Sequence, residues 1–203
     1  MTDHRSVAGV VLAAGLSSRF GDEDKLLATL SGRPLVAHAV ETLVRADVDA
    51  VAAVVDPAAG VGDALASAFP GLTLVENPDA AAGQATSVHR AVAWAGGTHD
   101  AVVFALGDMP AVRPETVDRL VAAWRAGEGS ALAPRYDGQR GNPVLFDREH
   151  FDALAAVSGD TGGRSVFRTA ADSAVVDVDD PGVRRDVDTP ADLERLRESA
   201  ERE

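Results

Sequence analysis

Short, nearly uninterrupted apolar runs, spaced by segments of helical periodicity, are the feature that most limits what this chain can fold into. Residues 7–13, 50–55, 72–75, 101–106 and 131–134 are almost wholly apolar and lack the alternation of a half-solvated strand. Such runs are the mark of strands buried on both faces of a sheet. Between them, residues 34–45 carry Leu35, Val36, Ala39, Val40, Leu43 and Val44 on one helical stripe, with Pro34 at the opening turn. Residues 61–69, 87–95 and 114–126 repeat the arrangement. Strands alternating with helices need crossovers that cover both faces of a mostly parallel sheet, so the expected fold is α/β, Rossmann-like and doubly wound.

From 138 to 180 the rhythm changes. Residues 142–146 and 174–178 read as strands without a regular helical crossover between them, which predicts a small antiparallel edge or flap. The tail opens Thr189-Pro190-Ala191-Asp192, an N-cap residue, a proline at the first helical position and an acid in the first turn, and predicts a terminal helix. With 203 residues, 46% of them hydrophobic, and no internal repeat or linker, the chain is expected to form one domain over 1–203.

Composition removes several classes of function. The chain has no cysteine, which excludes disulfides, thiolate-held zinc and a cysteine nucleophile. Its net charge of -13 argues against a nucleic-acid partner, because duplex affinity comes largely from cations that neutralise phosphates. The acid excess instead resembles a halophile-like surface. No apolar run approaches a membrane span of about 18 residues, and Met1 to Val7 lacks a secretory pattern, so the expected setting is cytoplasmic, without a membrane partner. Of 19 basic residues Lys25 is the one lysine, which marks it for a specific role.

Chemistry-bearing residues gather at the ends of the expected strands, where open α/β sheets bind ligands. After the first strand comes Leu12-Ala13-Ala14-Gly15-Leu16-Ser17-Ser18-Arg19-Phe20-Gly21, followed by Lys25. Small residues let backbone N–H groups approach phosphate oxygens, and Arg19 and Lys25 can neutralise a polyphosphate. The spacing matches neither a Walker loop nor a dinucleotide fingerprint, and an ordinary glycine turn with two solvated cations has the same local pattern. Gly107-Asp108-Met109-Pro110 ends the 101–106 run, where Asp108 can be a ligand for Mg²⁺ or a turn residue. Asp186-Val187-Asp188 directs two carboxylates to one side of an extended segment, and Asp188 can supply a second metal ligand or cap the tail helix. Asn77-Pro78 with Gly83-Gln84-Ala85-Thr86-Ser87, and Arg140-Gly141-Asn142-Pro143, are polar and glycine-bearing. Ser87 can cap a helix or, with Gln84, reach a base or ribose. Gly159-Asp160-Thr161-Gly162-Gly163-Arg164 can receive an anion or form a surface loop. The five histidines show no paired metal-binding spacing and read as structural or surface residues.

Together these segments resemble the MobA-like nucleotidyltransferases, and within them the molybdenum cofactor cytidylyltransferases, from Val7 to about Leu193. The resemblance implies the nucleotide-diphospho-sugar transferase type of fold, a nucleotide-binding part over about 7–110 and an acceptor-side part over about 111–203. It implies that Leu12, Ala13, Ala14, Gly15, Ser18, Arg19, Lys25, Asn77, Gly83, Ser87 and Asp108 bind a nucleoside triphosphate. Arg19, Lys25 and Asp108 are the implied catalytic residues, and Asp108 and Asp188 the implied ligands of Mg²⁺, with Mn²⁺ as a substitute. Arg140, Gly141, Asn142, Pro143, Gly159, Asp160 and Arg164 match the acceptor-side segments. Phe20 stands where methionine is commoner, and Gln84 where methionine or leucine often does. Ala14 is similar to the cytidylyltransferase version, since guanylyltransferases more often show Ala-Gly-Gly.

The implied reaction transfers CMP from CTP to the phosphate of the molybdenum cofactor, with transient contact to a molybdoenzyme or its chaperone. Such a displacement needs in-line approach and charge neutralisation rather than a base, because a phosphate monoester is already ionised. The alternatives are a GTP-dependent guanylyltransferase of the same pathway, transfer to a sugar phosphate, or a non-catalytic chaperone that binds the molybdenum cofactor.

Overall fold

In chain order the elements of the computed structural model, which describes residues 5–15, 20 and 24–200, are β1 (Val7–Ala13), β2 (Thr29–Leu30), β3 (Arg33–Pro34), α1 (Leu35–Arg45), β4 (Ala50–Val55), α2 (Val61–Ala68), β5 (Thr73–Glu76), α3 (Gln84–Ala95), β6 (Ala101–Leu106), α4 (Pro114–Arg125), β7 (Ala131–Tyr136), β8 (Gln139–Arg140), β9 (Val144–Asp147), α5 (Phe151–Ala155), α6 (Arg164–Thr169), β10 (Ser173–Asp177) and α7 (Pro190–Ala200). The main sheet has the order β10-β7-β9-β6-β1-β4-β5, with β8 paired to β7, while β2 and β3 form a separate ribbon. β1 lies between β4 and β6 and is parallel to both, so its side chains meet a packed layer on each face. That double burial is why its sequence runs Val-Ala-Gly-Val-Val-Leu-Ala without polar interruption.

Alternate residues of the strands feed two cores. Val7, Val11, Val103 and Ala105 face α1, α2 and α4 through Val40, Leu65, Leu120 and Trp124. Ala8, Val10, Val102 and Phe104 face α3, α5 and α6 through Val88, Leu154 and Phe167. A smaller third core of Leu30, Leu35, Val187 and Leu193 seats α7.

The antiparallel component expected between 138 and 180 is present, and its main strand stands inside the sheet. β9 runs antiparallel to both β6 and β7, and β10 at the rim is parallel to β7. The reason is local: β7 turns back through β8, and the returning chain pairs into the gap beside β6. The helix α5 and the start of α3 also differ from expectation. α5 has only five residues, too few to show a helical period. α3 starts at Gln84, because Gly83, with φ of 110°, makes the entry turn, and Ser87 falls inside the helix rather than at its cap. No helix among the described residues is long and apolar enough to cross a membrane.

Candidate functional site

The chain leaves β1 for β4 on one side of it and later returns to β6 on the other, a reversal that opens a crevice beyond the strand ends. Ala14 and Gly15 stand at the end of β1, and Gly107 and Asp108 at the end of β6, joined by the Gly107 N–H donating to the Leu12 carbonyl at 3.1 Å. Residues 16–19 and 21–23 lie outside the described residues, so the expected roles of Ser18 and Arg19 have no structural account here.

Lys25 opens a short 3₁₀ turn, Lys25–Leu27, whose start is capped by the Asp24 carboxylate accepting from the Leu26 N–H at 3.0 Å. Leu26 is buried and fixes the turn, leaving the lysine stem to reach into the crevice. Its ammonium donates to Asp108 Oδ2 at 2.6 Å and to Asp188 Oδ1 at 2.9 Å. Burial disfavours the charged ammonium, and the hydrogen bond and charge of Asp108, followed by those of Asp188, outweigh it and raise its pKa above the ordinary lysine value. Residues 83 and 163 positions distant in sequence therefore meet at one cation.

Asp188 can point into the crevice because other groups cap α7. Asp192 accepts from the N–H groups of Asp188 and Thr189 and from the Thr189 hydroxyl, and the Asp192 N–H donates back to Thr189 Oγ1. This is a capping box built from Thr189 and Asp192. The Val187 N–H donates to the Asp108 carbonyl at 2.9 Å and draws the 186–189 segment alongside.

Two chambers open from the crevice. One, of about 590 Å³, is lined by Leu12, Ala14, Gly15, Lys25, Gly83, Ser87 and Asp108, among others. The second, of about 540 Å³, is lined by Arg140, Gly141, Asn142, Asp160 and Arg164 and walled by Phe104, Phe146 and Phe167. Leu12, Gln84, Leu106 and Asp160 line both, so the chambers share a wall. The structure thus brings most of the expected site residues among those described onto two adjoining chambers.

Four expected nucleotide- or acceptor-binding residues among those described line neither chamber. Ala13 is buried in the sheet, and Pro143 is buried beside β6. Asn77 has no exposed surface: its amide donates to Thr86 Oγ1 at 2.9 Å and Ser87 Oγ at 3.0 Å, and its carbonyl oxygen accepts from the Asp79 N–H. It holds the start of α3 and the Ser87 hydroxyl in place, one layer back from the chamber. Gly159 contributes its carbonyl to the Ala85 N–H at 3.0 Å, tying the 159–163 loop to α3.

Sequence reasoning missed the aromatic wall and Arg168. Three of the six phenylalanines line one cavity, and that scarcity was the available signal. The Arg140 guanidinium stacks on Phe167, 4.5 Å from the ring centre. Burial first, and then the neighbouring charges of Arg164 and Arg168, lower its pKa from the ordinary arginine value. None of these three arginines is in a salt bridge among the described residues, so the chamber that Arg140 and Arg164 line is suited to an anion.

A separate cluster lies at the opposite end of the sheet. Glu149, His150 and Asp172 place ligand atoms within 4.8 Å of one another. The Ser130 hydroxyl donates to Asp172 at 2.5 Å and meets His150 Nε2 at 2.7 Å, which satisfies the cluster internally. His38 and His89 bond the carbonyls of Leu30 and Val157.

Comparison with known proteins places this geometry in a family. The chain is 34% identical over 203 residues to nicotine blue oxidoreductase of Paenarthrobacter nicotinovorans, covering 96% of this chain and 98% of that protein. It is 29% identical to molybdenum cofactor guanylyltransferase of Rhodobacter capsulatus, with the same coverage. The manganese complex of Rv0371c from Mycobacterium tuberculosis superposes with a TM-score of 0.74 at 28% identity, covering 96% of this chain and 99% of that one. Residues 9–175 match the MobA-like NTP transferase domain, and the chain belongs to that nucleotidyltransferase family.

Proposed function

We propose that the chain transfers a guanylyl group from GTP to the phosphate of a small anionic acceptor, releasing pyrophosphate. The observation that carries this reading is the meeting of Asp108 and Asp188 at Lys25, which with Asp108 lines one chamber that shares a wall with a second, guanidinium-rimmed chamber. A triphosphate in the first chamber and an anion in the second would present their reacting phosphates across that wall. The relatives named guanylyltransferases support GTP, and none of them supports the cytidylyl preference expected from Ala14. Their names also support the molybdenum cofactor as acceptor.

The donor set suits a hard divalent cation. Two carboxylates converge on one point, which the Lys25 ammonium takes at 2.6 and 2.9 Å, and oxygen ligands of this kind bind Mg²⁺ or Mn²⁺. The manganese found in Rv0371c agrees with that chemistry. Such a cation, held by Asp108 and Asp188, supplies Lewis acidity and charge neutralisation toward phosphate oxygens. Lys25 neutralises charge that accumulates on the departing pyrophosphate. Arg140 and Arg164, with Arg168 behind them, hold the acceptor phosphate so that one of its oxygens attacks the α-phosphorus in line. The new P–O bond forms as the bond from the α-phosphorus to the bridging oxygen breaks, and no side chain needs to remove a proton.

Pyrophosphate release measured with GTP, CTP and ATP in turn, with and without molybdenum cofactor, tests the proposal. Release only with GTP and acceptor together is the expected result. Release with none of the three nucleotides overturns it. One observation favours a second reading, the end-to-end match to a protein named an oxidoreductase. Acceptor-dependent oxidation of a reduced nicotinamide nucleotide in the absence of pyrophosphate release would establish that reading instead.

A further inference from the structure

Lys25 holds both carboxylates that the proposed function assigns to a divalent cation. Its ammonium lies 2.6 Å from Asp108 and 2.9 Å from Asp188, and the lysine and Asp108 side chains are only 14% and 21% exposed. A divalent ion bonds carboxylate oxygens directly, at about 2.0–2.1 Å for Mg²⁺. A lysine hydrogen-bonded this closely competes with such an ion for the same oxygens, and the two cations repel each other. The lysine is also anchored for a movement of its side chain alone. Asp24 caps its turn, Leu26 is buried beneath it, and the stem faces a chamber that runs on to Gly15, at the end of β1.

We infer that Lys25 is a built-in counter-cation that shuts the Asp108–Asp188 pair to metal until a triphosphate draws the ammonium away, so that nucleotide and metal bind cooperatively. The inference rests on the reading of these carboxylates as metal ligands. A triphosphate offers the ammonium a denser negative charge than the two carboxylates, and once the ammonium transfers to it, the oxygens that it held are open to a divalent ion. By linkage, the metal tightens the nucleotide by the same factor as the nucleotide tightens the metal. A chain with one lysine has placed it where a flexible stem and a compact charge serve both positions, which the planar fork of arginine does less well.

The test is Mn²⁺ binding to the full chain, followed by the loss of the free-ion electron paramagnetic resonance signal. It is made with and without a GTP analogue that has a methylene bridge between the α- and β-phosphorus, and the analogue's own Mn²⁺ binding is measured separately. The wild type is expected to gain about tenfold or more in Mn²⁺ affinity when the analogue is present, within the usual range of coupling between sites. K25M is expected to bind Mn²⁺ about tenfold more tightly than wild type without nucleotide, and to lose most of the analogue's effect. Unchanged or weaker metal binding by K25M, with circular dichroism intact, overturns the inference. The double variant K25M/D108N separates the two levels of the argument. If it binds Mn²⁺ as well as K25M does, the assignment of Asp108 as a ligand is wrong; if it loses binding while K25M shows no gain, the ligand assignment stands and the lysine clamp fails.

Discussion

At the scale of single residues, close backbone approach sets the strictest limits. A β-carbon on Gly141 would lie 2.2 Å from the carbonyl oxygen of Val183, the same oxygen that accepts from the Asn142 N–H at 2.9 Å. Gly141→Ala must push the 141–143 segment between β8 and β9 and the 180–188 segment apart. A loss of about 1–3 kcal/mol is expected, as for an overpacked core position, together with a raised KM for the acceptor. Urea denaturation and steady-state kinetics measure the two, and an alanine variant of wild-type stability would show that the contact yields. Glycine at 141 was visible in the sequence, but nothing there indicates that Val183, far along the chain, is what it must clear.

At the scale of elements, the 180–188 segment stitches the site together. Asp180 is buried and accepts from the Arg113 N–H at 2.9 Å, the Thr116 hydroxyl at 2.7 Å and the Gly182 N–H at 2.8 Å, pinning the segment to the start of α4. From there Val183 reaches Asn142 and Val187 reaches Asp108. Asp180→Ala leaves buried donors without an acceptor, each costing about 1–3 kcal/mol. Thr116→Val removes one of these bonds and should cost a fraction of that. Thermal denaturation ranks the two variants, and a ranking with Thr116→Val the more damaging would contradict this account. The segment was legible in sequence only as a pair of alternating aspartates before a helix. Its anchor was not, because Asp180 is polar by sequence and its burial depends on α4 folding over it. The same limit applies to Asp188, whose local sequence allows either a cap or a ligand. The Thr189–Asp192 box takes over the capping and removes that one alternative.

At the scale of the whole molecule, charge is the dominant feature. The chain carries -13, and many of its surface arginines are already paired, as in Arg135 with Asp177 and Arg125 with Asp47. Exposed pairs of this kind contribute little, so the remaining like-charge repulsion is felt across the surface. Raising KCl from about 0.1 M to about 1 M shortens the screening length from about 10 Å to about 3 Å and should raise the Tm. A Tm that stays flat or falls over that range would show that the acid excess is locally compensated.

The sequence by itself determined the strands buried on both faces, since a run such as 7–13 or 101–106 has no other way to hide every side chain. It determined the layer order of α/β packing for the same reason, and it placed Gly15 and Asp108 at strand ends, with Lys25 in the connection that follows β1, because an open parallel sheet leaves its loops there. Tertiary structure alone decided that β9 enters the middle of the sheet, since strand partners are chosen by which edge is open when the chain returns. It also decided that Asn77 stands behind the chamber wall, that three phenylalanines share a cavity with Arg140 and Arg164, and that Lys25 joins two aspartates 83 and 163 positions away. Each of these depends on which distant groups a side chain meets, and local pattern carries no record of that.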